Sequence, residues 1–130
     1  MERIVGTGID IVEVKRVERA LCRPGTGTRF RSRVFTAEEA AYCESRGRPR
    51  YQSYAARFAA KEAAMKALGT GWSRDVGWRE IEVARKPRQA PTIVLHGKAA
   101  ALARRLKVTG FHLSLSHTGE MAVAQVIALG

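Results

Sequence analysis

Alternating apolar and polar positions over residues 3–12 predict a strand. On its two-residue period Gly6, Gly8 and Asp10 share one face. Two glycines beside an acid leave room for close approach of a ligand, and a bulge or a crowded strand crossing fits them equally well. The period then lengthens. Within 13–23, Val14, Val17 and Leu21 fall on one helical face and Arg16, Arg19 and Arg23 on another. Residues 23–33 carry Pro24, Gly25 and Gly27 among basic residues and read as a loop. Thr36 with Glu39 forms a capping box for a helix that runs to about residue 45, where Gly47 and Pro49 end it. A longer, alanine-rich helix is expected over 52–68. Gly69-Thr70-Gly71 closes it.

From Val76 the period returns to two. Residues 78–84 and 92–95 read as strands joined by a basic turn around Pro87, and 97–107 as another helix. Residues 111–116 and 121–129 read as a terminal hairpin turning at Thr118-Gly119. This order predicts an α+β fold, a mostly antiparallel sheet packed with a long central helix. The 130 residues suit one domain over 1–130, without repeat or linker.

Charge narrows the partners. Lys and Arg outnumber Asp and Glu by 23 to 12, a formal net charge of +11. Such a surface attracts polyanions: nucleic acid, an acidic membrane face, a phosphorylated small molecule or an acidic protein. No aromatic RNA-stacking motif or zinc finger is present to favour nucleic acid. Cys22 and Cys43 lack metal spacing and read as free thiols of a reducing compartment. No stretch is long and apolar enough to span a bilayer, and Asp10 and Glu13 interrupt any signal-peptide core, so a cytoplasmic protein is expected.

The chemistry centres on Glu62. At helical spacing it lies with Tyr54, Phe58 and Met65, with Lys66 one turn on. A lone carboxylate in an apolar stripe is costly to bury and calls for a metal, a cation or a task. A surface pair with Lys66 is the plainer alternative. Asp10, between Ile9 and Ile11, could join Glu62 at a site suited to Mg²⁺, which takes few protein oxygens and keeps waters and substrate phosphates. A turn or cap is the ordinary use of such an Asp. Lys66 suits a phosphate as a compact point charge. Arg57 and Lys61, on a neighbouring flank, either reach phosphates or face water, and spacing favours water. His117 and Ser116 open a turn where both could reach a ligand. They are no nucleophile–base pair, because adjacent strand residues point oppositely. A Gly-x-Ser-x-Gly elbow is also missing. His96 and His112 show no partner pattern. The arginine row 16/19/23 is a candidate docking strip, although such rows are more often solvated faces.

Taken in order, these segments resemble one family. Gly6 to Ile11, Arg33-Val34-Phe35-Thr36 with its acidic helix, and Arg57-Phe58-Ala59-Ala60-Lys61-Glu62-Ala63 through Lys66-Ala67 are similar to its motifs. So are Trp78 to Val83, Pro91 to Gly97 and Ser114-Leu115-Ser116-His117. The chain resembles, over nearly its whole length, the holo-acyl-carrier-protein synthases, the small 4′-phosphopantetheinyl transferases. The resemblance implies transfer of phosphopantetheine from coenzyme A to a serine of an acidic acyl carrier protein, with release of adenosine 3′,5′-bisphosphate. It implies Mg²⁺ on Asp10 and Glu62, and coenzyme contacts from Arg57, Lys66, Ser116 and His117. Carrier docking would fall on Arg16, Arg19 and Arg23. It also implies a homotrimer with sites between subunits, which allows Asp10 and Glu62 to meet across an interface. Glu62 is the first candidate for the base that accepts the serine proton. Residues 24–31 match no motif of the family, and the carrier, of fatty-acid or polyketide synthesis, is left open.

Overall fold

The computed structural model describes residues 2–70 and 76–130. The chain runs β1 (Ile4–Glu13), α1 (Val14–Cys22), α2 (Gly27–Val34), α3 (Ala37–Ser45), α4 (Arg50–Leu68), β2 (Ile81–Ala84), β3 (Thr92–Leu95), α5 (Gly97–Arg105), β4 (Gly110–His117) and β5 (Met121–Leu129). This is the expected α+β architecture around one long helix. The strands form two antiparallel sheets, β1-β5-β4 and β2-β3.

Small residues let α4 lie close on the larger sheet. Gly6, Gly8, Asp10 and Val12 of β1 pair with Ala128, Val126, Ala124 and Ala122 of β5, so all share one face. The β5 residues of that face are wholly buried, as are Ala59, Ala60, Ala63 and Ala64 of α4. A side-chain carbon at Gly8 would collide with the Ala63 carbonyl, and one at Gly6 with that of Ala67. Of the two readings of this glycine pair, close approach of a backbone is the one realised. On the opposite face Ile9 and Ile11 are 56% and 59% exposed.

The capping box forms as expected. Glu39 N–H donates to Thr36 Oγ1 at 3.1 Å, and Thr36 N–H to Glu39 Oε1 at 2.8 Å. Gly69, at φ 78°, ends α4 in the left-handed conformation that glycine adopts without strain; Gly71 lies outside the described residues.

Two expectations are corrected. Residues 23–33 are not a loop throughout. Pro24 and Gly25 take the turn, and α2 follows. Gly27 is buried against the Leu21 carbonyl, where a side chain would not fit, so it folds α2 back on α1 instead of breaking a helix. Phe30 then turns inward, its ring 6.3 Å from those of Phe35 and Phe58. The strand expected over 78–84 begins only at Ile81. Residues 78–80 form a 3₁₀ turn, because Glu80 accepts from Gly77 N–H and Lys98 N–H, both at 2.8 Å, and draws the chain round.

Candidate active site

The end of the α4–β1 seam gathers the charges. Asp10 comes from the sheet face beneath α4, and Glu62 and Lys66, one turn apart, come from the helix. Lys66 Nζ donates to Asp10 Oδ1 at 3.1 Å and to the Ile9 carbonyl at 2.9 Å. Its side chain is 53% exposed and that of Asp10 13%. Among the described residues, Asp10 Oδ2 is buried with no hydrogen-bond partner. Burial pushes the half-buried Glu62 carboxyl above its ordinary value. The negative charge of Asp10 adds to the rise, while Arg16 and Lys66 pull it down. The charge of Asp10 is thus felt at Glu62, 52 positions away in the sequence, within one chain.

This donor set fits a hard divalent cation. The negative charge of Asp10 reaches Glu62, and among the described residues one oxygen of Asp10 has no donor. Among the described residues no group of three or more His, Cys, Asp and Glu converges. A metal held there by protein takes two carboxylates and must draw its remaining oxygens from water or a ligand, as Mg²⁺ commonly does. The neighbouring Lys66 and Arg16 favour a ligand that carries negative charge of its own.

The other candidates lie elsewhere. Arg57 and Lys61 are not solvated: they are 4% and 0% exposed. The Arg57 guanidinium lies 4.2 Å from the centre of the Tyr42 ring, and its Nε is buried without a hydrogen-bond partner among the described residues. It lines a cavity of about 280 Å³ with Tyr42, Val83, Arg85 and Lys86. That cavity opens on the far side of α4 from Lys66, about 13 Å along the helix, so within one chain Arg57 does not join the Asp10 cluster. Ser116 pairs with Val123 and lies on the outer face of the sheet. His117 pairs with Ala122 on the helix face, but β4 is two strands from β1, roughly 10 Å across the sheet.

Arg16, Arg19 and Arg23 are exposed. Arg16 also acts on Glu62, so the row begins at the carboxylate cluster. Residues 24–31, unassigned from sequence, extend it: Arg23, Arg29 and Arg33 line a groove of about 310 Å³ around Phe30. The i,i+4 spacing of Arg29 and Arg33 was the available signal, hidden by the loop reading.

Sequence reasoning also missed a network behind the site. Lys61 Nζ lies 2.8 Å from Glu39 Oε1, with both side chains wholly buried. Thr36 Oγ1 donates to Glu82 Oε2 at 2.7 Å, and Glu82 Oε1 lies 3.0 Å from His96 Nε2.

Residues 6–125 match the profile of the 4′-phosphopantetheinyl transferase superfamily. The chain is 52% identical over 124 residues to a holo-[acyl-carrier-protein] synthase of Koribacter versatilis, covering 95% of this chain and 97% of that protein. Its fold is similar to the crystal structure of the corresponding synthase from Neisseria meningitidis, with a TM-score of 0.85 and 32% identity over 97% and 98% of the two chains. It is also similar to the Helicobacter pylori synthase in complex with coenzyme A, with a TM-score of 0.81 and 29% identity over 94% and 98%.

Proposed function

The chain belongs to the 4′-phosphopantetheinyl transferase superfamily and is an enzyme of its holo-[acyl-carrier-protein] synthase branch, and from that premise we propose an Mg²⁺-dependent transfer from coenzyme A to an acidic apo acyl carrier protein. The carrier's serine Oγ bonds to the phosphorus on the pantetheine side of the diphosphate. The bond from that phosphorus to the bridging oxygen breaks, and adenosine 3′,5′-bisphosphate leaves with the electron pair. The observation that carries this reading is the meeting of Asp10 and Glu62 beside Lys66, with Asp10 Oδ2 buried and unpartnered.

Asp10 and Glu62 would hold Mg²⁺, which when bound supplies the positive charge that neutralises the diphosphate. Lys66 is exposed enough to turn its ammonium toward a phosphate while staying near Asp10. Glu62 would accept the serine proton, directly or through a water. Much of the acceleration comes from lining up hydroxyl and phosphorus. Arg16, Arg19 and Arg23 draw in the acidic carrier, and the groove at Arg29 and Arg33 continues their field.

Arg57, Ser116 and His117 serve the coenzyme in this reading from outside the single-chain cluster. The exposed isoleucines of the outer sheet face supply a reason. An apolar face of this kind suits further copies of the chain. A trimer covering it would bring Ser116 against a neighbour. The enzyme would work in the cytoplasm, in keeping with two free cysteines.

The test is to mix the protein with coenzyme A, Mg²⁺ and an apo carrier. The carrier's intact mass should rise by one phosphopantetheine arm, and chelation of the metal should stop the gain. No gain across several carriers would overturn the proposal. Light scattering at micromolar concentration should return three times the chain mass.

A further inference from the structure

Lys61 stands next to Glu62 in sequence, yet its ammonium points away from the site into protein. It donates to the Ile81 carbonyl at 2.6 Å and the Trp78 carbonyl at 3.0 Å, and its third partner is Glu39 Oε1 at 2.8 Å. Glu39 accepts in turn from Thr36 N–H and, through Oε2, from Val83 N–H at 2.8 Å. All three lysine protons and both carboxylate oxygens are engaged, with no solvent exposure. The pair joins α4 to the start of α3 and to β2, the side of the helix away from β1.

A buried ion pair is weak evidence for stability, because apolar side chains of similar volume often do as well. What five directed bonds add is orientation, since they fix an angle where methionine against leucine could slip. We propose that Glu39 and Lys61 are positioning residues: by clamping α4 from the side opposite β1, they set the helix rotation that presents Glu62 and Lys66 to Asp10. On the β1 side α4 rests on close packing of Gly6 and Gly8 against the carbonyls of Ala67 and Ala63, and the directed bonds there come from Lys66, a half-exposed side chain of the site itself. A rotation of about 10° at the outer radius of a helix moves a carboxylate about 1 Å. Errors of that size cost on the order of 100-fold in rate. The inference rests on the reading of Glu62 as a site residue.

The test removes the pair together, as Glu39→Leu with Lys61→Met, so that no buried charge is left alone. The expected result is a folded protein whose kcat falls roughly 100-fold. Its KM for the carrier should stay unchanged, because the arginine row is untouched. Binding of Mn²⁺ to the protein alone, read by electron paramagnetic resonance, should weaken about tenfold, as when outer partners of a metal site are lost. Parental kcat and Mn²⁺ affinity in a folded double variant would overturn the inference. If that variant does not fold, Glu39→Gln with Lys61→Met, which keeps an acceptor for the backbone donors, takes its place. Failure of both to fold would make the pair a structural staple and overturn the positioning role. Glu62→Gln run alongside separates the two readings: normal turnover there sinks the site, whereas its loss beside a fully active double variant sinks only the positioning role.

Discussion

One helix carries two lysine–carboxylate pairs, five residues apart, that differ in everything except chemistry. Glu39–Lys61 is 2.8 Å long and wholly buried, with every donor and acceptor engaged. Asp10–Lys66 is 3.1 Å long, with an exposed lysine and one carboxylate oxygen left unpartnered. The first pair is closed and can only hold. The second is open, keeping capacity for a cation on one side and a phosphate on the other. Satisfaction and burial, and not the residue types, separate the part of α4 that fixes geometry from the part that meets ligands.

The sharpest test of the open end is Glu62→Gln. Transfer should fall by roughly 10²- to 10⁴-fold, the range for loss of a catalytic base, read from the carrier's mass gain. Stability should not fall with it. The folded-state pKa of Glu62 lies above the unfolded value, chiefly through burial and then through Asp10. The protonated form is therefore favoured in the fold, and that contribution is present below the unfolded pKa and lost as pH rises through the folded one. In chelator, urea melts should show Glu62→Gln at least as stable as the parent at neutral pH, with any advantage gone below the ordinary carboxylate range. A destabilised variant at pH 7 would mean that the carboxylate supports the fold.

Breaking the closed pair should reverse that pattern. Lys61→Met strands Glu39 in the interior and should cost about 3–5 kcal/mol in denaturant melts. Lys66→Met should cost less than that, because its ammonium is half exposed and water can replace it, yet lose much of its transfer activity. Equal losses of stability would erase the distinction between the pairs.

The seam between them can be opened from the sheet. Gly8→Ala sets a methyl group against the Ala63 carbonyl, a backbone atom that cannot step aside. Overpacking of about 1–3 kcal/mol is expected. Activity measured well below the melting temperature should fall further than the unfolded fraction explains, because α4 lifts Glu62 away from Asp10.

The residues of the open pair were marked in the sequence, though not their pairing, and those of the closed pair were not singled out for the site, for a physical reason. Asp10 among apolar residues beside two glycines, and Glu62 in an apolar stripe, each break a local pattern, so sequence alone marked both. Strand alternation on either side of Thr118-Gly119 likewise gave the terminal hairpin, and Thr36 with Glu39 gave the cap. Glu39 satisfies a local pattern, the capping box, and that satisfied reading hid its second partner on α4. Lys61 and Arg57 lie in a run of alanines that carries little amphipathic contrast, so nothing local told which flank is buried. Gly27 read as a breaker because its role, contact with the Leu21 carbonyl, is tertiary. The opposite facing of His117 and Ser116, read from strand alternation, is seen in the pairing of β4 with β5.

Glu82 lies between the two extremes and gives the finest test. It accepts from Thr36 and pairs with His96 at the rim of the closed network. Burial alone would lift its carboxyl, but the hydrogen bonds of Thr36 and His96, backed by the charges of His96 and Lys61, outweigh it and hold the group below its ordinary value of 4.5. In the window below 4.5 the unfolded chain then binds the proton more readily than the fold does. The stability this gives is complete above 4.5 and drains away as pH falls through the folded value. Glu82→Gln should therefore cost about 1.5–3 kcal/mol at pH 7, the scale of a hydrogen bond to a charged group. The gap between variant and parent should close in acid, as read by urea midpoints from pH 7 to pH 3. A gap that persists unchanged to the acid end would show that shape, and not charge, holds this carboxylate, and the outer end of the network would then belong with packing.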